Sequence, residues 1–131
     1  MDGETLTELI MTVVLVLLMA AMAWMMKAAA TGQIKRNPWI GIRTAALMHC
    51  DDCWLLGHHA AANKGVMGCW LAALLMAASG IVSVLATLPE FVHPAALLAS
   101  LAVMLGGLFL GLRDANRAVA KIHAGEGIVS S

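Results

Sequence analysis

The fold is decided by residues 64–113, KGVMGCWLAALLMAASGIVSVLATLPEFVHPAALLASLAVMLGGLFLGLR. Glu90 divides this stretch into two uncharged segments, 65–89 and 91–112. A helix needs about 20 apolar residues to cross the hydrocarbon core of a bilayer, and each segment is long enough. Because so few residues separate the two segments, they predict an antiparallel helical hairpin, with Pro94 suited to the first turn of its second helix.

A third uncharged segment, residues 9–26, lies between Glu8 and Lys27. The whole chain is 61% hydrophobic and 12% charged, and its mean hydropathy is +0.85. A soluble domain of this size cannot bury so much apolar surface. We therefore predict an all-α integral membrane protein with a single domain, residues 1–131, and three transmembrane helices at about 7–27, 66–88 and 94–113.

The positive charges predict the orientation, because Lys and Arg are enriched on the cytoplasmic side of membrane proteins. All 8 Lys and Arg residues lie in or at the ends of the loop 28–65 and the tail 114–131. The N-terminal tail and the turn around Glu90 have none. We predict that the N-terminus is outside and that the loop 28–65 and the C-terminal tail 114–131 are cytoplasmic. The acidic N-terminus also argues against a cleaved signal peptide.

Small residues recur at multiples of four along both helices of the predicted hairpin. They are Gly68, Ala72 and Gly80 in the first helix and Ala99, Gly107 and Gly111 in the second. Small side chains at this spacing let helix backbones approach closely in membranes, so these residues are candidates for helix packing. The alternative is that Gly and Ala are simply frequent in such helices.

The loop 28–65 is the main polar region of the chain. Its first half contains Arg36-Asn37-Pro38-Trp39-Ile40-Gly41-Ile42-Arg43-Thr44. The Asn37-Pro38 pair predicts a turn. A tryptophan beside cations, as Trp39 is, is typical of an anchor at the depth of anionic lipid head groups.

The second half of the loop contains Asp51-Asp52-Cys53-Trp54-Leu55-Leu56-Gly57-His58. Either acid can cap a helix N-terminus, and Trp54 and His58 would then share one face of that helix. We expect a short amphipathic helix here that runs along the membrane surface and turns into the second span.

Arg43 needs a partner, because an unpaired arginine near the bilayer is unfavourable. The candidates are Asp51 or Asp52, a lipid phosphate, or a carboxylate of another protein. Thr44 can cap the segment after it, and Trp54 and His58 can pack over Gly41, which has no side chain. The sequence leaves open whether these residues only fold the loop or also bind a ligand.

The pattern of this loop resembles the signature of the SdpI (YfhL-type) immunity-protein family. The resemblance covers about residues 35–65 and the two spans that follow. It implies a short three-helix member in a bacterial cell membrane, with a helix cap near Cys50, and the family includes a protein that confers immunity to a secreted peptide toxin. The candidate motif and binding residues are Arg36, Asn37, Trp39, Gly41, Arg43, Thr44, Asp51, Trp54 and His58.

Three residues of the loop are candidate metal ligands of the types that zinc prefers: Cys50, Cys53 and His58. A zinc site typically adds a second paired group at a familiar spacing, which this sequence lacks. If the loop is cytoplasmic, the two cysteines should also be reduced thiols. We therefore predict no metal and no cofactor.

Neither catalysis nor transport is indicated. The spans contain hydroxyl residues but no paired carboxylates or nucleophile with an oriented base, and no charge for an ion path. Two functions remain: tolerance to or sensing of a membrane-active agent, or a role as accessory subunit of a larger membrane protein complex. The expected partners are the bilayer and its anionic head groups, with a larger complex or a second copy of the chain in the second case. Zero net charge argues against nucleic acid.

Overall fold

The computed structural model describes residues 3–129, with side chains as far as Gly125. Within that range it has no strand and four helices: α1 (Gly3–Ala30), α2 (Ala45–Met48), α3 (Asp51–Leu85) and α4 (Val92–Val129). Helices α1, α3 and α4 are long and apolar enough to cross a membrane. The predicted fold class is therefore confirmed, including the short helix between the first two spans.

Helix α3 lies between α1 and α4 and packs against both. Its 35 residues correspond to about 52 Å at 1.5 Å per residue, whereas the hydrocarbon core is about 30 Å thick. The uncharged parts of the long helices, 9–26, 65–85 and 92–112, are by length and composition the parts suited to cross a membrane. The first turns of α3 and the last turns of α4 therefore project together beyond the membrane.

The expectation of a separate surface helix starting at Asp51 was wrong. Residues from Asp51 onward are the beginning of α3 and continue into the second span without a break. Gly57 and Gly65 do not interrupt this helix, because large side chains, Leu47 and Met26, pack directly against them. The short helix of the loop is instead α2, which packs on both α3 and α4.

The ends of the hairpin helices also differ from the predicted spans. Helix α3 ends at Leu85 rather than 88, and α4 begins at Val92 rather than 94. At its other end α4 continues through most of the predicted tail 114–131 to Val129. Residues 130 and 131 of that tail lie outside the described residues.

Close backbone contact joins α3 and α4, as the glycine spacing predicts. A Cβ added to Gly68 would lie 2.8 Å from the Cα of Gly107, and one added to Gly111 would lie 2.8 Å from the carbonyl oxygen of Ala61. Backbone atoms cannot move aside as a flexible side chain can. These glycines therefore set the distance between the two helices.

The other small residues have different surroundings. Gly80 faces α1, where a Cβ would meet Thr12 Cγ2 at 2.6 Å. Ala72 is buried in a cluster with Met19 of α1. Ala99 is exposed, so its predicted part in packing within the chain was wrong.

Candidate functional site

The first turn of the motif loop is held by the side chain of Asn37. Its Oδ1 accepts hydrogen bonds from the backbone N–H groups of Trp39 at 2.9 Å and Ile40 at 2.8 Å. Its Nδ2 donates to the carbonyl oxygen of Lys35 at 2.8 Å. An Asn side chain that replaces backbone partners in this way stabilises a tight turn, which confirms the turn predicted at Asn37-Pro38.

Arg36 connects this turn to the helices. Its Nε donates to Asp51 Oδ1 at 2.9 Å, and its Nη1 donates to the carbonyl oxygen of Met48 at 2.7 Å. Asp51 belongs to the first turn of α3, where a negative charge is favoured, and Met48 is the last residue of α2. One guanidinium group therefore joins the loop to the end of one helix and the start of the next.

The middle of the loop passes directly over Trp54 and His58. Gly41 has φ +104°, a conformation that side chains rarely adopt, and a Cβ there would lie 2.7 Å from His58 Nε2 and 2.8 Å from Trp54 Cη2. The rings of Trp54 and His58 are themselves 4.1 Å apart. The predicted packing of these two side chains over Gly41 is confirmed.

Both ring nitrogens of the fully buried His58 are engaged. Its Nε2 accepts the backbone N–H of Ile42 at 2.9 Å, so the ring is neutral and its Nδ1 donates to the carbonyl oxygen of Trp54 at 2.8 Å. His58 precedes the membrane-spanning part of α3. Burial lowers its pKa below the usual 6.5, against a smaller opposing effect of the bond to Trp54.

Two more side chains complete the attachment of the loop. Trp54 Nε1 donates to the carbonyl oxygen of Ile34 at 3.0 Å. Thr44 is the N-cap of α2, as predicted, and accepts the N–H of Leu47 at 3.3 Å. Its hydroxyl also donates to Asn116 Oδ1 at 3.0 Å, which links the loop to α4 beyond the membrane.

Arg43 and Trp39 stay at the surface of this unit. The guanidinium of Arg43 donates to the carbonyl oxygen of Pro38. Of its candidate partners, Asp51 and Asp52 are therefore not used, and a lipid phosphate or a carboxylate of another protein stays a prediction. The ion pair with Asp51 is formed by Arg36 instead, with 2.9 Å between Nε and Oδ1. Trp39 is 84% exposed at the tip of the loop.

The two cysteines of the loop are joined as a disulfide, Cys50–Cys53. The reduced thiols that we expected for a cytoplasmic loop are therefore not present in this structure. Neither sulfur is a thiolate that could bind a metal, and both nitrogens of the third candidate ligand, His58, are engaged. Cys50 is the N-cap of α3, at the position where the resemblance implies a cap.

The sequence of this region matches a known protein family. The model of the SdpI/YfhL protein family matches residues 33–112, which include most of the loop 28–65, the whole of α3 and the uncharged segment 92–112 of α4. This chain belongs to the SdpI/YfhL protein family. Comparisons with curated proteins and with solved structures gave no match.

Several residues that hold the SdpI-type loop were not predicted. Leu47 of α2 is fully buried against Gly57, where a Cβ would lie 2.5 Å from its Cγ. Gly57 had a visible signal, because a glycine within a helix often marks a close contact. The acceptors at Ile34 and Met48 are backbone carbonyls and carry no side-chain signal, while Asn116 lies 72 residues from Thr44.

The polar groups of this SdpI-type loop are mostly paired within the protein. Most of its polar groups bind one another: Arg36 with Asp51, His58 with Ile42, and Thr44 with Asn116. Beside it lies an open cleft of about 470 Å³ whose wall carries Lys35 and Asp52. These bonds attach the loop to α3 and α4, while Trp39 at its tip stays exposed.

Proposed function

We propose that this protein is a non-catalytic member of the SdpI type in a bacterial cell membrane, where it confers tolerance to a membrane-active agent or senses one. The motif loop faces the cytoplasm in this proposal. The observation that supports it is the exposed Trp39 on a loop whose backbone is otherwise fixed. A rigid loop that presents tryptophan is suited to the interface between head groups and acyl chains.

The surroundings of Trp39 support contact with the membrane surface. Lys35 and Arg43 are exposed within four residues of it along the chain, whereas the charge of Arg36 is paired with Asp51. Cations near an anionic surface contribute about 1 kcal/mol each to binding. An agent that binds at this surface of the membrane would lie at the same depth as this exposed tip.

The test compares cells that lack the protein with cells that express it, across a panel of membrane-active peptides. Trp39→Ala should make cells as sensitive as the deletion while the protein is still present in membranes at normal levels. Trp70→Ala is the matched control, because Trp70 is also exposed, at 50%, but lies within the membrane-spanning part of α3. Equal sensitivity of deleted and expressing cells to the whole panel would contradict the proposal.

A second candidate is an accessory subunit that docks on another membrane protein through α4. Four small residues, Ala95, Ala99, Ala102 and Gly106, are all exposed and recur at intervals of four, three and four. That spacing follows one face of a helix, and small residues are favoured where membrane helices meet. Gly107 and Gly111 already pack against α3. Docking must therefore be tested on the exposed face that contains Ala99 and Gly106.

Co-purification in mild detergent separates the two candidates. If α4 docks on a partner, wild-type protein should bring down that partner in stoichiometric amounts, and Ala99→Leu should lose it. Ala78→Leu is the matched control, because it adds the same side chain to an exposed position of α3. Recovery of the chain alone, or only with copies of itself, would leave tolerance or sensing as the better explanation.

A further inference from the structure

The Cys50–Cys53 disulfide has an asymmetric setting at the start of α3. Cys50 is the N-cap residue and is partly exposed, whereas Cys53 is fully buried. The sulfur of Cys50 accepts the backbone N–H of Cys53 at 2.9 Å. An attacking thiol can therefore reach Cys50, while the buried sulfur of Cys53 is placed to leave.

The helix N-terminus favours negative charge on Cys50. Unpaired N–H groups and the helix dipole stabilise an anion there, and a thiolate is the reactive form of cysteine. The carboxylates of Asp51 and Asp52 follow in the same turn and act in the opposite direction. That of Asp51 is neutralised by Arg36, 2.9 Å away, and that of Asp52 is exposed to water.

A second, independent feature lies on the other side of the pair. His123 of α4 places its Nε2 3.8 Å from the sulfur of Cys53. The edge of its ring also packs against His49, with ring centroids 5.2 Å apart. A histidine in this position can donate a proton to a departing thiolate and remove one when the disulfide forms again.

We propose that Cys50 and Cys53 form a redox-active pair that exchanges electrons with small thiols. A thiolate attacks the sulfur of Cys50, the Cys50–Cys53 bond breaks, and the sulfur of Cys53 leaves and takes a proton from His123. A second thiolate then attacks the mixed disulfide and releases the external disulfide and the thiolate of Cys50. The two protons that the external thiols lost end on Cys50 and on His123. In sum, two thiols are oxidised to one disulfide, and the protein disulfide is reduced to two thiols by two electrons.

The proposed cytoplasmic orientation gives this pair a supply of reducing thiols. Disulfides in that compartment are usually transient and serve catalysis or redox sensing. The exchange itself does not depend on the orientation or on the tolerance function. Failure of either of those proposals would leave the chemistry of the pair open to test with purified protein.

The test uses the full chain carrying Cys69→Ser, so that only the two loop cysteines can react. The protein is equilibrated in detergent with mixtures of reduced and oxidised glutathione, and free thiols are counted by alkylation and mass. We expect both thiols to appear together in one reversible two-electron transition. A pair that stays oxidised in excess reduced glutathione, or that oxidised glutathione cannot close again, would overturn the proposal.

Single-cysteine variants test which sulfur is attacked. Cys53→Ser should leave Cys50 able to form a mixed disulfide with glutathione, and Cys50→Ser should leave Cys53 unreactive in the folded protein. The reverse pattern would overturn the assignment. His123→Ala should slow reduction by at least about tenfold without removing it, as expected for loss of a general acid. His59→Ala, at an exposed position of α3, is the control and should react as the wild type does.

Discussion

At Gly41 two independent constraints meet on one residue. The backbone has φ +104°, and the space where a side chain would begin is filled by the rings of Trp54 and His58. Gly32 also has a positive φ, +78°, but its nearest neighbour to a Cβ would be Leu55 Cδ1 at an ordinary 3.6 Å. A side chain at Gly32 would therefore be unfavourable only because of the backbone conformation. A side chain at Gly41 would in addition overlap the two rings.

We predict that Gly41→Ala destabilises the protein more than Gly32→Ala does. Gly32→Ala should cost about 1 kcal/mol of unfolding free energy, because only the backbone conformation becomes unfavourable. Gly41→Ala adds the displacement of two rings, so its cost should reach about 2–3 kcal/mol. Unfolding titrations of the purified variants in detergent would measure both. Equal losses would mean that the rings do not pack on Gly41.

We predict that the folded protein loses stability in acid because His58 is buried in its neutral form. Burial lowers its pKa in the folded protein below 6.5, while in the unfolded chain the pKa returns to about 6.5. The unfolded chain therefore takes up a proton first as the pH falls below 6.5. The stabilisation by neutral His58 is complete above that pH and decreases by up to about 1.4 kcal/mol per pH unit, down to the lowered pKa.

Melting temperatures of the purified protein between pH 8 and pH 5 would test this. His58→Gln is the informative variant, because Gln keeps polar atoms but does not titrate. It should lower stability at pH 8 and flatten the dependence on pH. If the melting temperature of His58→Gln still depended on pH as strongly as that of the wild type, the dependence would come from another histidine.

Helix α3 is held against its two neighbours by different kinds of contact. Helix α3 contacts α4 through glycine backbones and α1 through Met19, Ala72 and Met76. Beyond the membrane, Lys64 and Asp114 form an ion pair of 2.7 Å between α3 and α4, and Lys64 lowers the pKa of Asp114. Helices α3 and α4 are therefore in backbone contact along their uncharged parts and are joined by an ion pair beyond them.

Adjacent glycines of α4 give a matched test of this packing. Gly107→Leu should sharply reduce the folded protein in membranes, because its side chain would have to displace the backbone of Gly68. Gly106→Leu should be tolerated for folding, since nothing lies within 4 Å of a Cβ at Gly106. Folded yield by size-exclusion chromatography in detergent would compare them. Similar yields would show that α3 and α4 do not approach at Gly107.

At the scale of the whole molecule, charge separates the two ends of the bundle. The end that carries the motif loop, the start of α3 and the last turns of α4 holds every Lys and Arg of the chain, while Glu4, Glu8 and Glu90 lie at the other end. The small hairpin turn at that end, residues 86–91, contains no cation. This asymmetry is what the proposed orientation depends on.

We predict that a reporter fused to the C-terminus is active when it requires the cytoplasm and inactive when it requires export. The expected reason is the concentration of cations at the motif end. Adding positive charge at the other end, as in Glu4→Lys with Glu8→Lys, should reduce the fraction in this orientation. A C-terminal reporter that is active only after export would reverse the proposed topology.

The number of spans, the hairpin and the family signature could be predicted from the sequence, because uncharged length and residue spacing are local properties. The sequence also indicated the Gly41 packing and the Thr44 cap, whose partners are close along the chain. It missed the continuous start of α3, because nothing between Asp51 and Gly65 distinguishes a surface helix from an extended span. The tertiary structure alone decided that Arg36 rather than Arg43 holds Asp51, that Ala99 faces outward, and that Thr44 meets Asn116. Each of these depends on how distant segments pack, since a partner 72 residues away is chosen by the fold and leaves no local pattern.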